Sequence, residues 1–335
     1  MSKDLIQLAV CLAGLVWFSD RWFVVGAAQL ANRLKMSTVV VGVLIVGFGT
    51  SAPELVVSIL AILEEEAAGT ELAMGNIVGS NVANLTLVLA IPALVYPGAV
   101  KFEEGTPREA YFSAIAVFLL ASVLLLIDYG HIEAEHGSST MTGFALLLSL
   151  VILLLVVKKW GSKWGGQEPP EERPGINPWI RTLVGLVGTV IAAHFLVDSA
   201  TSIAEELGWT TGFVGFTLVA LGTSLPELVT VLAAARQRQS GLIIGNLLGS
   251  NLLNSVGVGA AIFITHGVKR FEPPHNLDRI SIIGMAGVSV LILLFLKMEK
   301  FLKRPSKDLI DRREAVILLV VYSLLISRMV VTATG

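Results

Sequence analysis

Two stretches of this chain are near copies of each other: VGVLIVGFGTSAPELV (41–56) and VGFTLVALGTSLPELV (214–229). Each is followed by a second matching pair, GNIVGSNVANLTLVLA (75–90) and GNLLGSNLLNSVGVGA (245–260). Over residues 40–59 and 75–90, 18 of the 36 aligned pairs are identical. That is an internal duplication, so the fold must be built from two related halves. Both copies also hold a glutamate and a proline inside a long apolar run. Any fold for this chain has to bury that carboxylate and absorb that helix breaker twice.

The setting of the repeats is a membrane. Of the 335 residues, 54% are hydrophobic and only 15% are charged, where a soluble domain carries about a quarter charged residues. A bilayer-spanning helix needs about 20 mostly apolar residues. Apolar runs near 4–28, 37–63, 71–96, 109–128, 140–157, 179–204, 211–235, 241–265, 280–297 and 313–331 meet that length. The first, MSKDLIQLAVCLAGLVWF, has no small-residue cleavage site after a short apolar core and reads as a retained span. A net charge of −2 gives no reason to expect a nucleic-acid partner, and Cys11 as the single cysteine excludes a disulfide framework.

Basic residues fall on alternate loops. Arg33 and Lys35, Lys101 and Arg108, Lys158 to Arg173, Arg236 and Arg238, and the Lys297–Arg313 cluster share one side; Glu64–Glu66, Asp128–Glu135 and Glu205–Glu206 lie on the other, and Lys3, Lys269, Arg270, Arg279 and Arg328 break the pattern. The positive-inside rule makes the basic side cytoplasmic and both termini extracellular, in a multi-pass protein of the plasma membrane. Five spans per half is an odd number, so the second copy enters the bilayer upside down. The expected fold is an all-α integral membrane protein of about ten transmembrane helices in two inverted five-helix repeats, with helices two and seven broken. Residues 1–157 form the first half (repeat at 40–90), 158–178 a Gly/Pro/Glu-rich cytoplasmic linker, and 179–335 the second half (repeat at 213–260). Inverted repeats with broken helices at matching positions mark secondary transporters, whose substrate site lies near the midplane.

The duplicated motif is suited to hard cations. Pro53 and Pro226 each remove a helix hydrogen bond, and Gly49 and Gly222 precede them. The helices are expected to unwind around Thr50–Pro53 and Thr223–Pro226, which frees carbonyls and hydroxyls. Glu54 and Glu227 have no Lys or Arg in the facing segments, so the expected counter-charge is a cation. An all-oxygen donor set selects hard ions; Ca²⁺ takes 6–8 oxygens. The two glutamates neutralise one divalent ion or two Na⁺. Ser80 and Asn84, like Ser250 and Asn254, are four apart and share a helix face. Gly75 with Gly79 and Gly245 with Gly249 have the spacing that lets helices approach closely.

These paired blocks resemble the α-repeats of the cation/Ca²⁺ exchanger superfamily, nearest to its prokaryotic sodium/calcium exchangers, and the resemblance covers essentially the whole chain. It implies a secondary antiporter that exchanges Na⁺ for Ca²⁺ by alternating access, with no resident cofactor and with Ca²⁺ and Na⁺ as transported substrates. It further implies four cation sites arranged as a diamond. Glu54 and Glu227 would be shared carboxylates, with Thr50 and Thr223 giving carbonyls to Ca²⁺. Ser51, Ser224, Ser80, Ser250 and the carbonyls of Gly47 and Ala220 would line the outer Na⁺ sites, and Asn84 and Asn254 would complete the middle one. The first and sixth helices would slide during gating. Family members often carry Asp at one or both of the positions that hold Asn84 and Asn254 here, so this cage is less negative by one or two charges.

The alternative within transport is Ca²⁺/H⁺ exchange, but Gly79 and Gly249 stand where proton-coupled relatives tend to carry an acid. No enzyme is expected, because the chain has neither an HExxH nor a GxSxG motif. A passive channel would build its filter from a symmetric oligomer, whereas this pseudo-symmetric site lies within one chain, so a monomer suffices in principle. Asp20, Asp198 and His194 lie outside the duplicated blocks and read as structural.

Overall fold

The computed structural model describes residues 2–64, 66–100, 115–117, 119–123, 136–160, 175–206, 222, 224–269, 279–301 and 310–334. These residues contain helices and no strand. Six helical stretches among them are long and apolar enough to cross a bilayer: Lys3–Leu34, Thr38–Leu60, Gly75–Val95, Thr140–Val157, Pro178–Ala200 and Ser240–Thr265. A shorter apolar stretch, Ile282–Phe295, lies in the expected ninth span, and Arg312–Thr334 is helical over the expected tenth. The expected fourth span is mostly outside the described residues, as are most of the linker and the first half of the seventh span.

The first helix runs as α1 (Ser2–Trp17), a π-helical turn (Phe18–Phe23) and α2 (Val24–Leu34). Lys35 ends it in the left-handed region, with φ 53°, and the amide of Met36 reaches back to the carbonyl of Ala31 at 3.0 Å. The next helix starts where the Ser37 hydroxyl accepts the amide of Val40 at 3.3 Å, the usual role of serine at a helix start. It proceeds through α3 (Thr38–Val41), a π turn (Gly42–Gly47), α4 (Phe48–Thr50) and α5 (Ala52–Glu64). Then follow α6 (Glu66–Leu85), α7 (Leu87–Val95), α8 (His136–Trp160) and α9 (Pro178–Glu206). The rest comprises α10 (Leu225–Arg236), α11 (Ser240–Leu252), a π turn (Leu253–Val258), α12 (Gly259–Lys269), α13 (Arg279–Phe301) and α14 (Arg312–Thr334).

Small residues bring these helices together, as expected in lipid, where apolar burial alone does not drive association. α11 lies directly on α3 and the π turn after it. A Cβ on Gly245 would meet the carbonyl oxygen of Val39 at 2.4 Å, and one on Gly249 that of Val43 at 2.4 Å. For Gly75 and Gly79 no described residue comes within 4 Å of such a Cβ. Val39, Val41, Val43, Val46, Ile77, Val82, Leu242 and Ile243 belong to the principal core. Burial falls outward: 83% of the apolar window is buried for Ser240–Thr265 and 78% for Gly75–Val95, against 28% for both Lys3–Leu34 and Pro178–Ala200. The outward faces carry Ile6, Leu148, Leu183 and Leu324, each at least 60% exposed, a surface suited to lipid tails rather than water.

Candidate cation site

The break between α4 and α5 is confined to one residue. Ser51 leaves the helix at φ −90°, ψ 3°, in the bridge region frequented by turn and site residues. Ser224, just before α10, has φ −89°, ψ 3°. Each new helix begins at once: Leu55 donates to the Ser51 carbonyl at 3.3 Å and Leu228 to that of Ser224 at 3.0 Å. Pro53 and Pro226 sit in the first turn, where a missing N–H is harmless to the helix that follows. They cannot donate to the carbonyls four residues back, those of Gly49 and Gly222. The unwinding is thus tighter than the four residues expected around Thr50–Pro53. Glu54 and Glu227 occupy the first turns of the restarted helices, whose amino ends carry partial positive charge and favour a carboxylate.

Four helical segments converge here. Ser51 Oγ, between α4 and α5, donates to Glu227 Oε1 of α10 at 2.7 Å. Ser250 Oγ of α11 is 3.3 Å from the Gly47 carbonyl and 3.5 Å from Glu227 Oε1. Thr50 Oγ1 is 3.1 Å from both the Val46 carbonyl and Asn246 Oδ1; its single proton can serve one of them. From α6, Asn76 Nδ2 donates to the Glu54 carbonyl at 3.3 Å and to Ser58 Oγ at 3.1 Å. Ser80 Oγ reaches Asn76 Oδ1 at 3.4 Å. Thr50, Ser51, Glu54, Ser80, Asn84, Ser224, Glu227, Ser250 and Asn254 are all buried, none more than 2% exposed. Of the expected site residues, Thr223 and Ala220 lie outside the described residues.

The donor inventory leaves much unmatched. Among the described residues, both oxygens of Glu54, Oε2 of Glu227, Ser224 Oγ, and the side-chain oxygen and nitrogen of both Asn84 and Asn254 have no hydrogen-bond partner. A buried polar group left unpaired costs about 1–3 kcal/mol, more if charged, and native interiors hold few of them. Here several unpaired oxygens come from residues of the duplicated blocks. Among the described residues no three His, Cys, Asp or Glu form a metal cluster, so the donor set is two carboxylates with hydroxyl, amide and carbonyl oxygens.

The sequence reading left out Asn76 and Asn246, which bond to the broken helix directly, and Asn81, whose Nδ2 donates to Ser255 Oγ at 2.9 Å across the halves. The signal was available. Asn76 matches Asn246 and Asn81 matches Asn251 in the duplicated GNxxGSN, so each is repeated as faithfully as the glutamates.

The sodium/calcium exchanger protein family matches residues 4–159 and 177–331. The chain belongs to that family. It is 33% identical over 327 residues to the putative antiporter CaxA of Alkalimonas amylolytica, covering 95% of each chain. To the sodium/calcium exchanger MaX1 of Methanosarcina acetivorans it is 30% identical, over 89% of this chain and 93% of that one. Its fold superposes on a solved structure of the sodium-calcium exchanger NCX_Mj with a TM-score of 0.76 at 26% identity, covering 97% of this chain and 98% of the other. The sodium/calcium exchanger family and the lipid-suited outer surface together make this a multi-pass membrane antiporter. Asn84 is the next-to-last residue of α6 and Asn254 the second residue of the second half's π turn, and both are buried.

Proposed function

We propose that the protein exchanges Na⁺ for Ca²⁺ across the plasma membrane by alternating access at this buried oxygen cage. The observation that carries the reading is the set of buried, unpartnered carboxylate and amide oxygens of Glu54, Glu227, Asn84 and Asn254, with no basic side chain among the described groups that bond the two glutamates. A divalent ion neutralises the two carboxylates and supplies the partner these oxygens lack; Na⁺ competes for the same atoms. Glu54 and Glu227 are the shared ligands. Thr50, Ser51, Ser80, Ser250 and the Gly47 carbonyl supply further oxygens from the first copy and its neighbours, with Ser224, Thr223 and Ala220 as second-copy counterparts. Asn84 and Asn254 add amide oxygens without adding charge. In this reading ten spans form two inverted halves, 1–157 and 179–335, with both termini outside and residues 158–178 on the cytoplasmic side.

The deciding experiment is ⁴⁵Ca²⁺ uptake into proteoliposomes loaded with Na⁺, beside K⁺-loaded and pH-gradient controls. Uptake should require internal Na⁺, and should fall by about a hundredfold or more in Glu54→Gln and Glu227→Gln, since each loses a charged ligand worth several kcal/mol. Uptake that follows the pH gradient and ignores Na⁺ replaces this reading with Ca²⁺/H⁺ exchange. Activity that survives both substitutions removes the site assignment.

A further inference from the structure

We propose that Asp20, Arg236 and Gln237 form a latch that positions the Glu227 helix against the α1–α9 pair and opens during each exchange cycle. The proposal rests on the exchange reading above. Asp20 lies in the π turn of the first helix and is only 7% exposed. Its carboxylate takes both arms of Arg236, with Nε at 3.0 Å from Oδ1 and Nη2 on Oδ2. Gln237 Nε2 adds a bond to Oδ1 at 3.0 Å and one to the Asp20 carbonyl at 2.7 Å. Arg236 ends α10, whose first turn holds Glu227. At 1.5 Å per residue the latch is about 13 Å along the same helix from that carboxylate.

The first helix and α9 are bound tightly to each other. A Cβ on Gly26 would meet the amide of Thr182 at 2.6 Å, and one on Gly185 that of Phe23 at 2.3 Å. Arg181, in the first turns of α9, donates to the Arg21 carbonyl from Nη2 at 2.9 Å and from Nε at 3.2 Å. Against α10 the pair has a small apolar cluster of its own, Leu15, Ala192 and Ala193 with Leu196, Leu225 and Val229, separate from the principal core. A groove of about 530 Å³ runs beside the latch, lined by Leu12, Val16, Trp17, Arg21 and Arg236 among others. The pair is thus closely packed, bordered by a surface groove and tied to the Glu227 helix by a cluster of directional bonds.

Two arguments make this a positioning device rather than plain stabilisation. The Arg236 side chain stays 54% exposed while that of Asp20 is 9% exposed; such a half-solvated pair contributes little net stability, and the best-attested use of an ion pair inside a protein is in fixing one arrangement over others. The latch is also one-sided. At the spacing of the duplication, Ala193 and Leu63 correspond to Asp20 and Arg236. No Lys or Arg occurs between Lys35 and Lys101, and no Asp or Glu between Pro178 and Val197. Inverted repeats make the outward-facing and inward-facing arrangements near mirror versions of each other. A contact held by one half alone favours one of them.

The test uses the full-length protein. Na⁺-driven ⁴⁵Ca²⁺ uptake by wild type comes first; its absence overturns the exchange reading and the latch together. With exchange established, Asp20→Asn, Arg236→Gln and the double variant are compared in right-side-out and inverted vesicles for half-saturating Ca²⁺ on each face. We expect each single variant to change the ratio between the two faces about fivefold or more, and the double variant to go no further than the larger single effect, as for a coupled pair. A wild-type ratio, or equal changes on both faces, overturns the latch and leaves exchange standing. A second measurement does not depend on the ratio. In a Cys11→Ala background, Asp20→Cys with Gln237→Cys is bridged by a bis-methanethiosulfonate reagent. Bridging should cut uptake about tenfold or more and dithiothreitol should restore it, because a tether prevents opening. Uptake indifferent to the tether overturns the proposal.

Discussion

Gly249→Ala tests the close approach that brings α11 to the broken helix. The added Cβ would sit 2.4 Å from the Val43 carbonyl oxygen and 3.0 Å from its carbonyl carbon and Cα. These are backbone atoms, so no side chain can rotate away. Relieving the first contact to 3.0 Å requires the π turn and α11 to part by about 0.6 Å, with an overpacking cost of about 1–3 kcal/mol. Alanine recovers about 1 kcal/mol as a better helix former, which leaves a net loss of up to about 2 kcal/mol. The same parting stretches the contact of Ser250 Oγ with the Gly47 carbonyl, now 3.3 Å, to about 3.9 Å, beyond hydrogen-bond range. Na⁺-dependent ⁴⁵Ca²⁺ uptake should fall about tenfold or more, a displacement effect at the site, and the detergent-solubilised protein should unfold at a lower temperature. Gly14→Ala is the control, because its Cβ would lie 3.8 Å from that of Ala192, an ordinary contact. Wild-type uptake and unfolding temperature in Gly249→Ala would refute the argument.

Pro226→Ala restores an N–H able to reach the Gly222 carbonyl; uptake should drop about tenfold while thermal stability holds or rises, because a continuous helix closes the break. In the proposed cage, Asn254→Asp adds a third carboxylate to those of Glu54 and Glu227 in nearly the same volume. It should tighten divalent binding by about tenfold, since ligand charge sets Ca²⁺ affinity, and Ca²⁺ competition against bound ⁴⁵Ca²⁺ reads it. Reconstituted protein should also carry no Ca²⁺ current without a countertransported ion; a sustained Na⁺-independent current under voltage clamp would restore the passive-channel reading.

Much of the site was legible because the chain writes it twice. Glu54, Thr50 and Ser51 gain meaning from their second copies, and the same logic extends to Asn76 and Asn246, which sequence reading passed over. An asparagine in an apolar helix carries no charge, so residue type alone draws no attention to it. The width of the helix break was not legible: proline fixes where the backbone loses a donor, whereas the bonds from Leu55 to Ser51 and Leu228 to Ser224 decide how soon the helix resumes. The π turns at Phe18–Phe23, Gly42–Gly47 and Leu253–Val258 were not legible in the hydrophobic pattern either, because 6 residues each are too few to establish a period of their own. Asp20 read as structural, and its partners Arg236 and Gln237 stand more than 200 residues away, beyond any periodicity argument.

The two glutamates set a limit on slippage in the proposed exchange. Neither hydrogen-bonds to a basic group among the described residues; the ion pair at Asp20 uses Arg236, at the far end of α10 from Glu227. A membrane-buried charge of this kind costs on the order of 3 kcal/mol, so two of them cost about 6 kcal/mol when no cation accompanies them. At about 1.4 kcal/mol per factor of ten, crossing with an ion-free, ionised cage is suppressed on the order of ten-thousandfold relative to the neutralised one. Neutral Asn84 and Asn254 keep that penalty at two charges, so one divalent ion or two monovalent ions cancel it. An aspartate at either position would leave a residual charge after Ca²⁺ binds, and a third Na⁺ would then be needed for full neutralisation. In the proposed exchange the amides would therefore set how many ions the cage must hold before it can turn over.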